Sequence, residues 1–406
     1  MSTITSPSYS TMTTKGVADA PTLAAPQYQE RPLSIYIHVP FCQKRCMYCD
    51  FATFTGQDEQ MPAYVAAVET EMQRRAGRLG HPPAQTVFLG GGTPSLLPPD
   101  LLARILDAVR ARFTLDPAAE ITMECNPGTL DADKLRAISA AGVNRLSFGV
   151  QSLNDDILRT IGRIHSAAEA LDAFASARAC GFENLSGDLI HALPGQDLSD
   201  WQDTLTRLVA LDLPHYSLYG LIPEEGTPLL RALQRGELVI PDGDHAAEMY
   251  EWARDYMAAH GYEHYEISNW AKPGWASRHN TAYWVQTPYL GFGVAAHGYY
   301  ASERRGNVRG LAGYLRRIEH GEDPAVSVET IDTDRARSDG MIMGLRLIAG
   351  IERAIYRRQH DADPVDLWPG DLALLQAQGL LTVTPERIAL TREAHLLGNY
   401  VWEHFL

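Results

Sequence analysis

Three of the five cysteines of this 406-residue chain, Cys42, Cys46 and Cys49, fall within eight residues. They lie in the stretch Tyr36 to Phe51, which reads Y-I-H-V-P-F-C-Q-K-R-C-M-Y-C-D-F. Any fold the chain adopts has to bring three thiols to one loop behind a short apolar run. Thiolates are soft ligands that favour iron–sulfur clusters or zinc. A C-x3-C-x2-C loop wraps one cubane with three sulfurs, whereas a closed structural zinc site takes a fourth ligand. No fourth cysteine follows locally, because Phe51 stands two residues after Cys49. A [4Fe-4S] cluster held by three sulfurs leaves one iron open to another molecule. From the spacing alone, a zinc loop completed by His38 or Asp50, or buried free cysteines, remain alternative readings.

Composition narrows the classes further. A formal net charge of −15 argues against a general basic field, and so against a nucleic-acid partner. Cysteines in metal-ligand spacing point to a reducing, cytoplasmic compartment rather than a disulfide framework. No apolar run approaches the length of a membrane span. Residues 1–30 are rich in Ser, Thr, Pro and Ala, with Lys15 the one basic residue, and read as a disordered tail.

From Leu33 onward, short β-rich runs alternate with helical stretches, the pattern of parallel β/α units. Strands are expected at 34–39, 86–89, 120–125, 145–150, 185–193 and 215–221. Helices are expected at 58–78 with a cap at Asp58, then at 100–112, 131–140, from Ser152 to about Cys180, and at 199–211. Six such units with right-handed crossovers predict an open, partial (β/α)6 TIM-like barrel. Barrel enzymes carry working residues at the C-terminal strand ends. The cysteine loop, Gly90-Gly91-Gly92-Thr93, Glu124 and Gln151 fall at such ends, and Asp188 lies within the fifth strand. The glycine triplet alone is equally a tight strand-to-helix turn.

A second block reads G-Y-E-H-Y-E-I-S-N-W over Gly261–Trp270 and continues into Arg278-His279-Asn280-Thr281-Ala282-Tyr283-Trp284 and Leu290-Gly291-Phe292-Gly293. Such a concentration of imidazole, aromatic rings and glycine suggests a flat aromatic or macrocyclic ligand, and imidazole is a common axial ligand of haem iron. A hydrogen-bonded core histidine is the bland alternative for His279. His38, His264 and His297 are weaker candidates. Residues 338–350, 371–381, 382–390 and 393–405 suggest helices flanking a short hairpin.

These motifs, in this order, resemble the radical S-adenosylmethionine (SAM) superfamily, and within it the group of the HemN coproporphyrinogen oxidases and HemW haem chaperones. The resemblance runs from about Leu33 to Phe405. It implies that Cys42, Cys46 and Cys49 hold a [4Fe-4S] cluster whose open iron faces SAM. It also implies that Gly91, Gly92 and Thr93 meet the SAM amino group, and that Glu124, Gln151, Arg163 and Asp188, with Tyr36 and Tyr48, complete the SAM site. Phe51 stands where the oxidases carry a further cysteine, and His279-Asn280-x-x-Tyr283-Trp284 matches the H-N-x-x-Y-W element of the HemW branch. That branch implies a haem chaperone in which His279 helps bind haem, delivering it to recipient haemoproteins such as respiratory, membrane-associated enzymes. Homodimerisation is left open. The alternative is an oxygen-independent coproporphyrinogen III oxidase, a radical SAM enzyme of oxidative decarboxylation. His191-Ala192 and Gly220 depart from the group's usual residues. The expected division is a tail over 1–30, the barrel over 31–230, an extension carrying the H-N-x-x-Y-W element over 231–330, and a small helical, winged-helix-like C-terminal domain over 331–406.

Overall fold

The computed structural model describes residues 32–406, so the tail expected over 1–30 lies outside the described residues. Six parallel strands follow one another in space as in sequence: β1 (Leu33–Val39), β2 (Pro83–Gly91), β3 (Thr114–Cys125), β4 (Arg145–Gln151), β5 (Asn184–His191) and β6 (His215–Gly220). Helices α1 (Met61–Leu79), α2 (Pro99–Arg112), α3 (Ala132–Ala140), α4 (Asp155–Thr160), α5 (Ala167–Ala179) and α6 (Leu198–Val209) make the crossovers. β1 and β6 do not pair, which leaves the (β/α)6 barrel open.

Strand alternation sorts the residues into two faces. Ile35, Ile37, Val87, Leu89, Ile121, Met123, Leu146 and Phe148 join the helices in one apolar core. The opposite face carries Ser34, Thr86, Glu120, Thr122, Arg145, Ser147, Ser186, His215 and Ser217, all buried. The barrel interior is therefore polar, and most buried polar groups in proteins are hydrogen-bonded.

Some local expectations give way. The first helix begins at Met61, not at an Asp58 cap; Asp58–Gln60 form a short 3-10 turn, and Pro62 occupies the first helical turn. The single helix expected before Cys180 is two helices, with Gly162 and Arg163 in the break between them.

Beyond the barrel come α7 (Pro228–Gln234) and α8 (Gly243–Ala259), then a hairpin of β7 (Glu263–Glu266) and β8 (Asn269–Ala271) that pairs antiparallel with β6. On the other edge, α9 (Arg278–Trp284) precedes β9 (Tyr289–Phe292), which pairs parallel with β1. β10 (His297–Tyr300), β11 (Glu303–Asn307) and β12 (Ala325–Thr330) continue the sheet antiparallel, with α10 (Leu311–Glu319) between the last two, to give twelve strands. Glu71 of α1 fastens this extension, accepting hydrogen bonds from Tyr314 Oη (2.6 Å), the Gly293 amide (2.8 Å) and Asn307 Nδ2 (2.8 Å). The glycines of Leu290–Gly293, read from sequence as a sign of ligand, serve strand packing: a Cβ on Gly291 would lie 1.9 Å from the His297 carbonyl oxygen.

The C-terminal residues build their own core around Met341, Leu345, Leu375, Ile388 and Phe405. It comprises α11 (Thr333–Gly344), a three-stranded sheet of β13 (Ile351–Glu352), β14 (Leu381–Val383) and β15 (Arg387–Leu390), and short helices at Arg353–His360, Pro369–Ala377 and Gly398–Glu403. The helix at Arg353–His360 and strand β13 have no counterpart in the sequence reading. This unit joins the β7–β8 hairpin through two main-chain bonds, Ile267 N to Arg346 O and Ile348 N to Tyr265 O, both 3.1 Å. The Arg346 guanidinium lies 4.5 Å from the Trp284 ring centre and 4.8 Å from that of Trp402. Among the described residues no helix is long and apolar enough to cross a membrane.

A cation held between two indoles contributes on the order of 1–3 kcal/mol when partly desolvated. Arg346→Ala is expected to lose about that much in denaturant unfolding. The same change is expected to speed amide exchange at Ile267 and Ile348; unchanged exchange there would show that the joint does not depend on the sandwich.

Candidate functional site

The cysteine loop leaves β1 at Val39 and is clipped at its ends by two main-chain bonds, Cys42 N to Phe54 O (3.0 Å) and Phe54 N to Pro40 O (2.7 Å). Its middle is pinned by Met47, whose amide donates to Ile161 O at the end of α4 (3.0 Å) and whose carbonyl accepts from Leu229 N of α7 (2.9 Å). Arg45 braces the exit, donating to the carbonyls of Cys49 (3.0 Å) and Phe51 (3.3 Å). Cys42 is buried, and Cys46 and Cys49 are half-buried. Burial pushes the Cys42 thiol up to about 11, and it raises Cys49 too. Thiolates are thus costly here until a bound metal compensates them.

The loop after β2 is laid against this one. The Gly92 amide donates to Val39 O (2.9 Å) and the Thr93 amide to Phe41 O (2.8 Å). Gly91 has φ +107°, and a Cβ there would fall 2.3 Å from the His38 ring, so only glycine fits. A side-chain chain then links two of the thiols. Cys42 Sγ shares a hydrogen bond with Thr93 Oγ1 (3.4 Å), and Thr93 Oγ1 accepts from Asn126 Nδ2 (3.0 Å). Asn126 Oδ1 accepts from Arg163 Nη2 (2.7 Å), and Arg163 Nη1 donates to Cys46 Sγ (3.4 Å). The break between α4 and α5 puts Arg163 in this position. Its buried Nε has no hydrogen-bond partner among the described residues. Tyr48 packs on Ile157, Ile161, Ile190 and Leu193. Burial raises its phenol, with the Arg163 guanidinium and Cys46 beside it.

Two buried carboxylates lie below. Glu124 Oε2 accepts from the Gly91 amide (3.0 Å), and burial, reinforced by the Asp188 charge, lifts Glu124 to about 7. Asp188 accepts from Ser147 Oγ (2.8 Å) and Ser186 Oγ (3.0 Å) and is also raised by burial. Gln151 ends β4 at φ +68°, a left-handed conformation that re-aims its side chain. Tyr36 stacks on Phe88 at 6.3 Å, and its hydroxyl meets His38 Nδ1 at 3.0 Å.

His279 is elsewhere, in the barrel floor. It is 1% exposed, stacks on Phe88 at 5.0 Å, and has both ring nitrogens hydrogen-bonded, Nδ1 to Thr86 Oγ1 (2.8 Å) and Nε2 to Tyr283 Oη (2.9 Å). Burial and, behind it, Arg145 lower it to about 3, so the ring is neutral. The Glu120 carboxylate holds the start of α9 by accepting from the amides of Arg278 (3.1 Å) and His279 (3.0 Å). In this arrangement His279 has no lone pair free for iron. The zinc alternative also meets an occupied ring: His38 Nε2 donates to Ala52 O (2.9 Å), which leaves Nδ1 to accept from Tyr36. Among the described residues no three His, Cys, Asp or Glu side chains are close enough to share a single metal ion.

The residues suit an iron–sulfur cluster with a partner that bears a carboxylate: three thiols on one braced loop, a guanidinium beside Cys46, and a buried Arg163 N–H with no hydrogen-bond partner among the described residues. The other two cysteines stand apart, Cys125 donating to Met123 O (3.5 Å) and Cys180 to Ala132 O (3.7 Å).

The Radical SAM superfamily model matches residues 36–208, and the HemN C-terminal domain model matches 334–397. The "Heme chaperone HemW" of Bacillus subtilis is 38% identical over 374 residues, 92% of this chain and 99% of that protein. The chain belongs to the HemW family. The Escherichia coli HemW is 40% identical over 66% of this chain and 70% of its own. Among solved structures, the E. coli coproporphyrinogen III oxidase HemN matches with a TM-score of 0.82 at 26% identity, covering 93% of this chain and 91% of that one. Radical SAM membership implies binding of a [4Fe-4S] cluster and SAM.

Sequence reasoning did not single out Asn126, Arg145, Ser147, Thr86 or Glu120. Asn126 carried a usable signal, lying two residues beyond Glu124 at a C-terminal strand end.

Because the folded pKa of Glu124 lies above its ordinary 4.5, its contribution to stability is full below pH 4.5 and is lost as pH rises through about 7. Glu124→Gln stays neutral. It is expected to stabilise the cluster-free protein by on the order of 2 kcal/mol at about pH 8 and by little at about pH 4. Urea unfolding at the two pH values checks this, and an equal effect at both would contradict it.

Proposed function

We propose that this chain is a cytoplasmic haem chaperone that binds haem and passes it to recipient haemoproteins, respiratory membrane-associated enzymes among them. In this reading Cys42, Cys46 and Cys49 hold a [4Fe-4S] cluster. Gly91, Gly92, Thr93, Glu124, Gln151, Arg163 and Asp188, with Tyr36 and Tyr48, hold SAM. The observation that carries it is the match to the B. subtilis HemW along nearly the whole of both chains, together with a cysteine loop that ends in Phe51, 58% exposed, where the oxidases of the group carry another thiol. A cytoplasmic site of action fits three thiols that work as thiolates in a reducing compartment.

The cluster, when bound, supplies an open iron and one-electron chemistry. The protein's own part is positioning. Arg163 offers charge beside Cys46 and a free N–H to a carboxylate. Glu124, held by the Gly91 amide, accepts from an ammonium once ionised. Thr93 and Asn126 keep the loop after β2 in register with the thiols. The fold likeness to HemN favours a second reading, coproporphyrinogen decarboxylation, which one preparation tests beside the first.

Anaerobic reconstitution with iron and sulfide is expected to yield a cluster in the wild type and at least roughly tenfold less bound iron in Cys46→Ser. On the same sample haem is expected to bind, and coproporphyrinogen III is expected to be left intact with SAM present. Release of CO2 from coproporphyrinogen would replace the chaperone reading with the oxidase one.

A further inference from the structure

A cavity of about 280 Å³ opens between the cysteine loop, β1 and the extension strands. Its walls include Tyr36, Tyr283, Tyr289, Phe51, His297 and Arg309, and of the residues assigned to SAM it shares Tyr36 alone. The volume falls just under the roughly 300–1,000 Å³ that encloses a whole small ligand. It therefore suits one edge of a larger planar molecule. Phe51 offers an exposed ring at its side, and exposed Arg309 a guanidinium to pair with a carboxylate. Arg309 donates to the Asp50 carbonyl (3.0 Å), and Asp50 is the one acidic residue in the wall. Aromatic faces, a cation and an open mouth describe the edge of a metalloporphyrin with its propionate.

Few side chains there can reach iron. The three tyrosines are raised by burial above their ordinary value and stay phenols at neutral pH. His38 has both ring nitrogens engaged, as described above. His279 stacks on Phe88 and is hydrogen-bonded to Tyr283, which lines the cavity. His264 lies away from the cavity, flat on Trp270 (4.1 Å), donating to Ile267 O (3.2 Å). His297, first residue of β10, is exposed, and among the described residues nothing hydrogen-bonds its ring.

We propose that His297 is the protein ligand of haem iron, with Arg309 pairing a propionate and His279 acting as a positioning residue that holds Tyr283 in the cavity wall. This rests on the haem-chaperone reading and goes beyond it by moving the iron ligand from the H-N-x-x-Y-W element to β10. A neutral imidazole nitrogen gives its lone pair to the iron in place of a water, with no electron or proton transferred. Burial, then Arg309 and Arg304, lower His297 below 6.5, which keeps that lone pair available at neutral pH.

The test titrates full-length wild type, His297→Ala, His297→Gln and His279→Ala with ferric haem, following the Soret band and the electron paramagnetic resonance of the iron. Both His297 variants are expected to bind at least roughly tenfold more weakly. They are also expected to lose the imidazole-ligated spectrum, and added imidazole is expected to restore it in His297→Ala. His279→Ala is expected to melt lower while its folded fraction keeps the wild-type spectrum. Unchanged binding and spectrum in both His297 variants, with the wild type binding haem, would overturn the assignment and leave the chaperone reading standing. Loss of the imidazole spectrum in natively folded His279→Ala would return the ligand to the H-N-x-x-Y-W element. A wild type that binds no haem would overturn both.

Discussion

The rest of this molecule depends on a polar barrel interior. Ser34, Thr86, Glu120, Thr122, Arg145, Ser147, Ser186, His215 and Ser217 face inward and are buried, and leaving one such group unsatisfied costs about 1–3 kcal/mol. Ser34 Oγ, Thr122 Oγ1 and Arg145 Nε have no partner among the described residues, while for other groups the interior recruits partners from beyond the six strands. It finds them in Tyr265, whose hydroxyl meets His215 Nε2 at 2.8 Å, and in α9, whose first amides satisfy Glu120 and whose His279 satisfies Thr86. The extension after the barrel completes the barrel.

That requirement explains how the H-N-x-x-Y-W element divides its work. His279 fills the floor, Tyr283 bonds His279 and lines the cavity, and Trp284 stacks on Arg346 to seat the C-terminal unit. The Asn280 amide donates to the capping Ser277 hydroxyl (3.2 Å). The side chains of His279, Tyr283 and Trp284, which read as parts of one ligand-binding motif, make contacts in separate places, because a short helix turns its side chains to different sides.

The six β/α units were legible in the sequence because period-two apolar runs and turn residues are local signals. The cysteine loop was legible because thiol spacing is chemistry written in consecutive residues. What was not legible depends on long-range pairing. Strands β7 to β11 are each five residues or shorter, so their partners define them. The helix break that aims Arg163 is decided by the loop it packs against. Asn126 joins Thr93 to Arg163 across three separate β/α turns, and no local window contains that relation. The two readings of His279, iron ligand or hydrogen-bonded core residue, could not be separated locally for the same reason: a histidine's availability is set by what holds its two nitrogens, and Thr86 lies 193 residues away.

The cysteine loop is held at both ends and in the middle by main-chain bonds that involve no metal. A zinc finger gains its shape from its ion and unfolds without it. Here the ordering of the thiols is already met by Phe54, Pro40, Ile161 and Leu229. A side-chain change at Cys46 therefore removes a thiol without touching the main-chain bonds that set the path of the loop.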